Sequence, residues 1–345
     1  MRAMVLRGKN LAIEEVAVPK PGPMQVLAKV LACGICGSDL HAAKYMDDMI
    51  AASRMSGSTS WDTEATQQNA GMVMGHEFVA EVVEAGPGAE SWTPGTRVTS
   101  IPVLISPGSP TGFVAIGYST EFPGAYGEYV LMSGPTLLKV PDNVPNDVAA
   151  TTEPCAVGLH AVRQAEMQDN ETAVVMGAGP IGLMTLLWLK KEGVRHVTVS
   201  DYSPERRALA EKLGADLVID PKVTNLAEAV QGATGKAAPV VFECVGVEGT
   251  LNEAMQLVER GGRVVVVGVC MKEDRIFPMV GINKQLTLKF VLGYTPAEYA
   301  EALAGLADGS VNTKPMVTRT VTLDELPAAF EALADPKDCK VVLLP

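Results

Sequence analysis

The period of the apolar positions changes part-way along this chain. Up to about residue 150, short runs alternate with polar residues or are briefly continuous: Ala12-Ile13-Glu14-Glu15-Val16, Val26-Leu27-Ala28-Lys29-Val30 and Phe78-Val79-Ala80-Glu81-Val82-Val83. Turn residues bound them, from Pro19 to Pro23 and at Gly86-Pro87-Gly88. Strands at this spacing predict a small β-rich domain, barrel-like or a sandwich. Between His41 and Gly75 lie 33 residues that read as a long loop, with Met46, Met49, Met55, Met72 and Met74 around a polar centre from Gly57 to Thr66. Two readings have equal weight: a lid of adaptable methionines over a substrate mouth, or a solvated excursion with a few core anchors.

From Thr151 the texture becomes alternating strand and helix. Ala173–Met176 reads as a strand, Ile181–Lys191 as a helix, Val197–Ser200 as a strand and Pro204–Leu213 as a helix. Further strands are expected at Leu217–Ile219, Val240–Glu243 and Arg263–Val267. This rhythm predicts a parallel, doubly wound sheet. It stops near Gly293, after which a helix over Ala297–Leu306 and a last strand over Lys340–Leu344 are expected to return to the first domain. The fold class is therefore α/β, with a β-rich domain over 1–152 and 292–345 and a doubly wound domain over 153–291. No internal repeat is evident.

Composition narrows the function classes. A chain of 345 residues exceeds one ordinary core, which agrees with two domains. The formal charge of −12 disfavours nucleic acid or an anionic membrane as main partner, since both need a basic face. Thr172–Leu189 is uncharged, but it holds Pro180 and three glycines in a strand-turn-helix order, so burial explains it better than a bilayer. Met1-Arg2-Ala3 leads directly into a strand pattern without the features of a secretory leader. The six cysteines are irregularly spaced and read as free thiols or ligands in a reducing, cytoplasmic compartment.

Gly177-x-Gly179-x-x-Gly182 follows an apolar strand and opens a helix, the context that turns a weak motif into a dinucleotide-binding one. The glycines permit the tight turn, the approach of a pyrophosphate and the packing of helix on sheet. Ile181 offers a backbone donor at the helix start, while Pro180 offers none and stiffens the turn. Asp201 stands nineteen residues after Gly182. A carboxylate there accepts the ribose hydroxyls of NAD and repels a 2′-phosphate; the bland alternative is a helix cap, for which Ser203 is the better candidate. Arg206 would cover the adenosine side. Val245, Val267, Gly268, Val269, Val291 and Leu292, just beyond the later strands, complete the candidate cofactor residues.

Cys33-Gly34-Ile35-Cys36-Gly37-Ser38-Asp39-Leu40-His41 puts a thiol, a hydroxyl, a carboxylate and an imidazole within nine residues, and Gly75-His76-Glu77 adds an imidazole and a carboxylate. Cys36, His76 and a carboxylate would offer Zn²⁺ sulfur, nitrogen and oxygen with one position open. Cys33 and Cys36 also spell a C-x-x-C, but the βαβ setting of a redox pair is missing, and Cys33 reads as a buried thiol. Glu153 precedes Pro154, so it is either a ligand or a modest helix cap.

These motifs, with Glu153-Pro154-Cys155-Ala156-Val157-Gly158-Leu159-His160, resemble in order and nearly end to end the zinc-dependent medium-chain dehydrogenase/reductase superfamily. The glutamate at 153 resembles its polyol, butanediol and threonine dehydrogenase branch. The resemblance implies a GroES-like catalytic domain and a Rossmann domain. It implies zinc ligands at Cys36 and His76, with Glu77 and Glu153 as direct or water-mediated ligands, and an orienting role for Asp39 behind His76. It implies hydride transfer between NAD and a secondary alcohol, diol or polyol and the matching ketone, with oligomerisation as a dimer or tetramer. Ser38 would pass the hydroxyl proton outward, and His41, titrating near ~6.5, would end the relay. The stretch from 90 to 130 has no cysteine, so a structural zinc is not expected. The rivals are a zinc-independent enone or quinone reductase and a non-catalytic NAD-binding protein.

Overall fold

The computed structural model describes residues 1–57, 70–109, 112–333, 335 and 337–345. They form two units, Met1–Glu153 with Val317–Pro345, and Pro154–Met316. The second crossing thus follows Met316, whereas the sequence pattern places it at 291/292. The helix Pro296–Ala307 accounts for the difference. Its Glu298 Oε2 lies 3.0 Å from His160 Nδ1, and its Glu301 pairs with Arg163 at 2.6 Å. Both partners sit on the helix Thr152–Gln164, so these contacts keep Pro296–Ala307 in the second unit.

In the first unit the strand Gln25–Gly34 is the hub. It pairs antiparallel with Glu77–Ala85, Tyr129–Ser133 and Lys340–Leu343. Val26, Ala28, Val30 and Ala32 share one buried face, and Leu27 and Cys33 are buried on the other, where Lys29 is exposed. Register breaks twice against Glu77–Ala85, and such bulges bend and twist a strand so that a sheet can curl around a core. The two expected turns meet: Gly86 N–H donates to Gln25 O at 2.8 Å, and a side chain on Gly86 would strike Gly22 O at 2.1 Å.

The stretch after His41 is not loop from its beginning. Gly37–Met55 is a helix, kinked at Tyr45 (φ −129°, ψ 33°). Ala42, Met46, Met49 and Ile50 recur at helical spacing, with Ile50 the sole β-branched residue of the segment. Met46 and Met49 pack against the core, and Met72 and Met74 belong to it, while Met55 is 89% exposed. Four of the five methionines are therefore anchors. The expected polar centre, from residue 58 onward, lies outside the described residues.

In the second unit six strands run parallel in the order Leu217–Ile219, His196–Ser200, Thr172–Met176, Ala238–Glu243, Val258–Val266, Thr287–Phe290. The order reverses between Thr172–Met176 and Ala238–Glu243, which makes that point the switch where such sheets bind ligands. Thr172–Met176 is buried along its whole length, as inner strands of parallel sheets are. Helix Pro180–Lys191 buries Leu183 to Leu189, including Trp188, whose Nε1–H donates to Cys155 O at 2.9 Å. The uncharged run is thus strand, turn and core helix. Among the described residues no helix is long and apolar enough to cross a membrane.

Candidate active site

Cys36 leaves the strand Gln25–Gly34 and caps the helix Gly37–Met55; its N–H donates to Asp39 Oδ2 at 3.2 Å. Gly34 is in register with Glu77 on the neighbouring strand, which brings Cys36 beside His76. Gly75 takes φ +96°, and any side chain there would strike the Tyr126 ring at 2.6 Å. As a result, Cys36 Sγ, a His76 nitrogen and a Glu77 oxygen lie within 4.8 Å of one another.

Behind His76 stands Asp39, fully buried, with Oδ1 3.3 Å from His76 Nδ1. Its other oxygen accepts the Tyr126 hydroxyl at 2.6 Å. Burial alone would strip the proton from His76, but the charges of Asp39 and Cys36 outweigh it and hold the imidazole well above its ordinary pKa. Groups that draw a proton this strongly draw a divalent cation too. Sulfur and nitrogen donors that converge, with the histidine backed by a carboxylate, fit zinc.

Glu77 fits that role less simply. Both its oxygens accept from Lys340 Nζ, at 2.8 and 2.7 Å, and the third Nζ proton goes to Ile35 O at 3.0 Å. Lys340 and Glu77 are 1% and 0% exposed in their side chains. Burial disfavours the ammonium, yet Glu77 overrides it and the Lys340 pKa is pushed up to about 12. A Cβ on Gly34 would fall 2.1 Å from Glu77 Oε2, so only glycine leaves room for the pair.

The remaining candidates divide. Ser38 donates to Cys36 Sγ at 3.1 Å and accepts from Tyr118 O–H at 2.7 Å. His41 lies one turn further along the helix, its pKa lowered by burial and by Lys44. Glu153 is outside the three-residue group; it lies inside the helix Thr152–Gln164 rather than at its cap, buried, and its charge reaches Tyr118. Burial drives the Cys33 thiol well upward, which suits an inert core cysteine and not a redox pair.

The glycine turn is assembled by backbone. Gly177 takes φ +92°, Gly179 caps the helix, Pro180 and Ile181 open it, and a Cβ on Gly182 would meet Gly177 O at 1.9 Å. Asp201 Oδ2 accepts Ala178 N–H at 2.7 Å and Oδ1 accepts Ser203 N–H at 2.8 Å. Ser203 is the cap of the next helix, accepting Arg206 N–H at 3.2 Å. The Arg206 guanidinium comes 3.9 Å from where a Gly179 Cβ would be. Val245, Val267, Gly268 and Val269 gather at the same carboxyl edge: Val245 abuts Gly177, and the Val267 and Gly268 N–H groups donate to Glu243 O at 2.9 and 2.8 Å. Val291 and Leu292 follow the outermost strand, three strands over from the one that leads into the turn, with Leu292 91% exposed.

Two family models match: an alcohol dehydrogenase GroES-like domain over residues 22–142 and a zinc-binding dehydrogenase over 180–308. The chain is 33% identical to (R,R)-butanediol dehydrogenase of Bacillus subtilis over 97% of its own length and 96% of that protein. It is 31% identical to sorbitol dehydrogenase of Ovis aries over 99% of its length and 95% of that protein. The crystal structure of 2R,3R-butanediol dehydrogenase from Bacillus subtilis superposes with a TM-score of 0.86 at 32% identity, covering 100% and 99% of the two chains. The chain belongs to the zinc-binding dehydrogenases. It is an oxidoreductase of CH–OH donors, with the GroES-like and Rossmann folds that its motifs imply.

Four residues that touch the candidate groups of this dehydrogenase escaped the sequence reading. Lys340 is hidden in an apolar terminal strand; a lysine in such a run is itself the signal, since a buried ammonium needs a buried partner. Tyr118 and Tyr126 sit in turns with no diagnostic spacing. Glu243, 2% exposed, accepts the N–H groups of Val245 and Gly246 at 2.8 and 2.9 Å and shapes the cofactor edge.

Proposed function

We propose that this dehydrogenase transfers a hydride between NAD and a secondary alcohol, diol or polyol, using a single zinc ion. The convergence of Cys36, His76 and Glu77 within 4.8 Å, with Asp39 behind the histidine, carries the reading. Cys36 and His76 would hold the ion, and Glu153 or Glu77 would complete the set. Zinc bound there supplies Lewis acidity, which lowers the pKa of a substrate hydroxyl. Ser38, pinned between Cys36 and Tyr118, takes the hydroxyl proton and passes it toward His41. Burial and Lys44 lower the His41 pKa, so the imidazole would release the proton readily to solvent.

Asp201 supports NAD. Each of its oxygens accepts one backbone N–H and retains a lone pair for a ribose hydroxyl, while its charge opposes a 2′-phosphate. Arg206 lies beside the glycine turn and covers the adenosine side. The open edge strand Thr287–Phe290, with Phe290 68% and Leu292 91% exposed, supports pairing with a second copy as a dimer or tetramer. Six free cysteines support a reducing, cytoplasmic setting.

Metal analysis of protein never exposed to chelator, followed by assays on alcohols, diols, polyols and β-hydroxy amino acids with NAD, tests the proposal. One zinc per chain and turnover lost on chelation are expected. Metal-free protein that still reduces ketones with NADH would overturn it.

A further inference from the structure

The Tyr126 hydroxyl is the outermost member of a buried line that ends at the candidate metal site. Its backbone is fixed at both ends: the N–H donates to Met74 O at 2.9 Å, and the carbonyl accepts from Met4 N–H at 2.7 Å. The ring stands edge-on to Phe330 at 6.4 Å and fills the space that Gly75 leaves open. The hydroxyl is 2.6 Å from Asp39 Oδ2 and 3.3 Å from Gly34 O. One proton cannot serve both at full strength, and the shorter bond goes to the carboxylate, whose charge makes it the better acceptor. Asp39 Oδ2 thereby receives two donors, Tyr126 O–H and Cys36 N–H, while Oδ1 faces His76.

We propose that Tyr126 is a positioning residue that sets how strongly His76 donates to the metal. The inference rests on the reading of Cys36 and His76 as ligands. A short hydrogen bond from a phenol draws electron density out of the Asp39 carboxylate. Asp39 then pulls less on the His76 Nδ1 proton, and the other imidazole nitrogen is a weaker donor to the ion. Cys36 and His76 would then hold an ion slightly less tightly and leave it more Lewis acidity for the substrate. Phenylalanine would fill the same space, so the hydroxyl serves the site rather than the packing.

The experiment compares wild type, Tyr126→Phe and protein with 3,5-difluorotyrosine inserted at position 126. Zinc affinity is measured by competition with a chelator, and the visible absorption of the cobalt(II)-substituted forms is recorded. Tyr126→Phe should bind zinc about threefold more tightly, less than the ~10–100-fold that loss of a direct partner of a ligand causes. Its cobalt bands should move and kcat should fall by a similar factor. The fluorinated phenol, more acidic and nearly identical in shape, should shift affinity and bands in the opposite direction. A purely structural tyrosine predicts looser zinc in Tyr126→Phe and no opposite response, and that result overturns the proposal. Identical affinities and superimposable cobalt spectra overturn it as well. If Tyr126→Phe does not fold, the fluorinated protein decides by itself. Wild type that retains neither zinc nor cobalt sinks the metal site itself, a failure distinct from that of the tyrosine.

Discussion

The two units build their sites by opposite means. In the first, the candidate metal site consists of side chains, nearly all buried, drawn from residues 34–41, 75–77, 118–126 and 340. In the second, the cofactor turn consists of backbone, with glycines clearing space and Asp201 tying Ala178 to Ser203. A side-chain site concentrates charge in a medium that cannot screen it, so each member depends on the others. A backbone site distributes its work over many peptide groups, and single side-chain losses are cheaper. Substitutions in the two units should therefore differ in size.

The largest effect is expected for Cys36→Ser. Losing a soft donor should cost more than the ~10–100-fold of an outer-partner loss, in metal retention and turnover together. Metal analysis beside steady-state rates would reveal an active, metal-free variant. Lys340→Met comes next. It leaves Glu77 charged, buried and unpaired, and should destabilise the fold by about 3–5 kcal/mol in denaturant titration. A loss below about 1 kcal/mol would mean that solvent reaches Glu77 and that the first unit is less dependent on pairing than argued.

In the second unit Gly182→Ala forces a methyl against Gly177 O and should cost about 1–3 kcal/mol, with a raised KM for the cofactor. Asp201→Ser should narrow the preference for NAD over NADP by roughly tenfold, about 1.4 kcal/mol, read as a ratio of kcat/KM values. An unchanged ratio would remove the ribose contact. The smallest effect concerns Glu298. Burial raises its pKa, but the Thr295 N–H and hydroxyl and His160 outweigh that and hold it below the ordinary carboxylate value. The folded state therefore binds the proton less readily than the unfolded one. Its stabilisation is present above the unfolded pKa and fades as pH falls through the lowered folded one. Glu298→Gln should remove about 1 kcal/mol at neutral pH and flatten the acid limb of the stability curve. Equal slopes for the two proteins would exclude the carboxylate.

The same contrast explains what could be read without coordinates. The five strands from Thr172 to Val266 and the helices Pro180–Lys191 and Pro204–Lys212 were legible because they are local, strongly periodic segments, and Gly177-x-Gly179-x-x-Gly182 is a local motif; the helices Leu226–Thr234 and Thr250–Leu257 were not read. Cys36, Asp39 and His76 were legible because their motifs are contiguous. The helix Gly37–Met55 was not, because its apolar positions are mostly alanine and methionine and mark its period weakly. The contacts of Glu298 with His160 and of Glu301 with Arg163 were not legible, because they join residues 138 apart.

By itself the sequence determined the fold class, the glycine turn with its aspartate and the short Cys/His motifs, since each is encoded by neighbours in the chain. Only the tertiary structure decided that Lys340 closes on Glu77, that Tyr126 stands behind Asp39 and that Glu153 lies apart from the tight trio. Those partnerships arise from strand register and from the burial of charge, and a buried charge takes whichever partner the packing brings within reach, however distant in sequence.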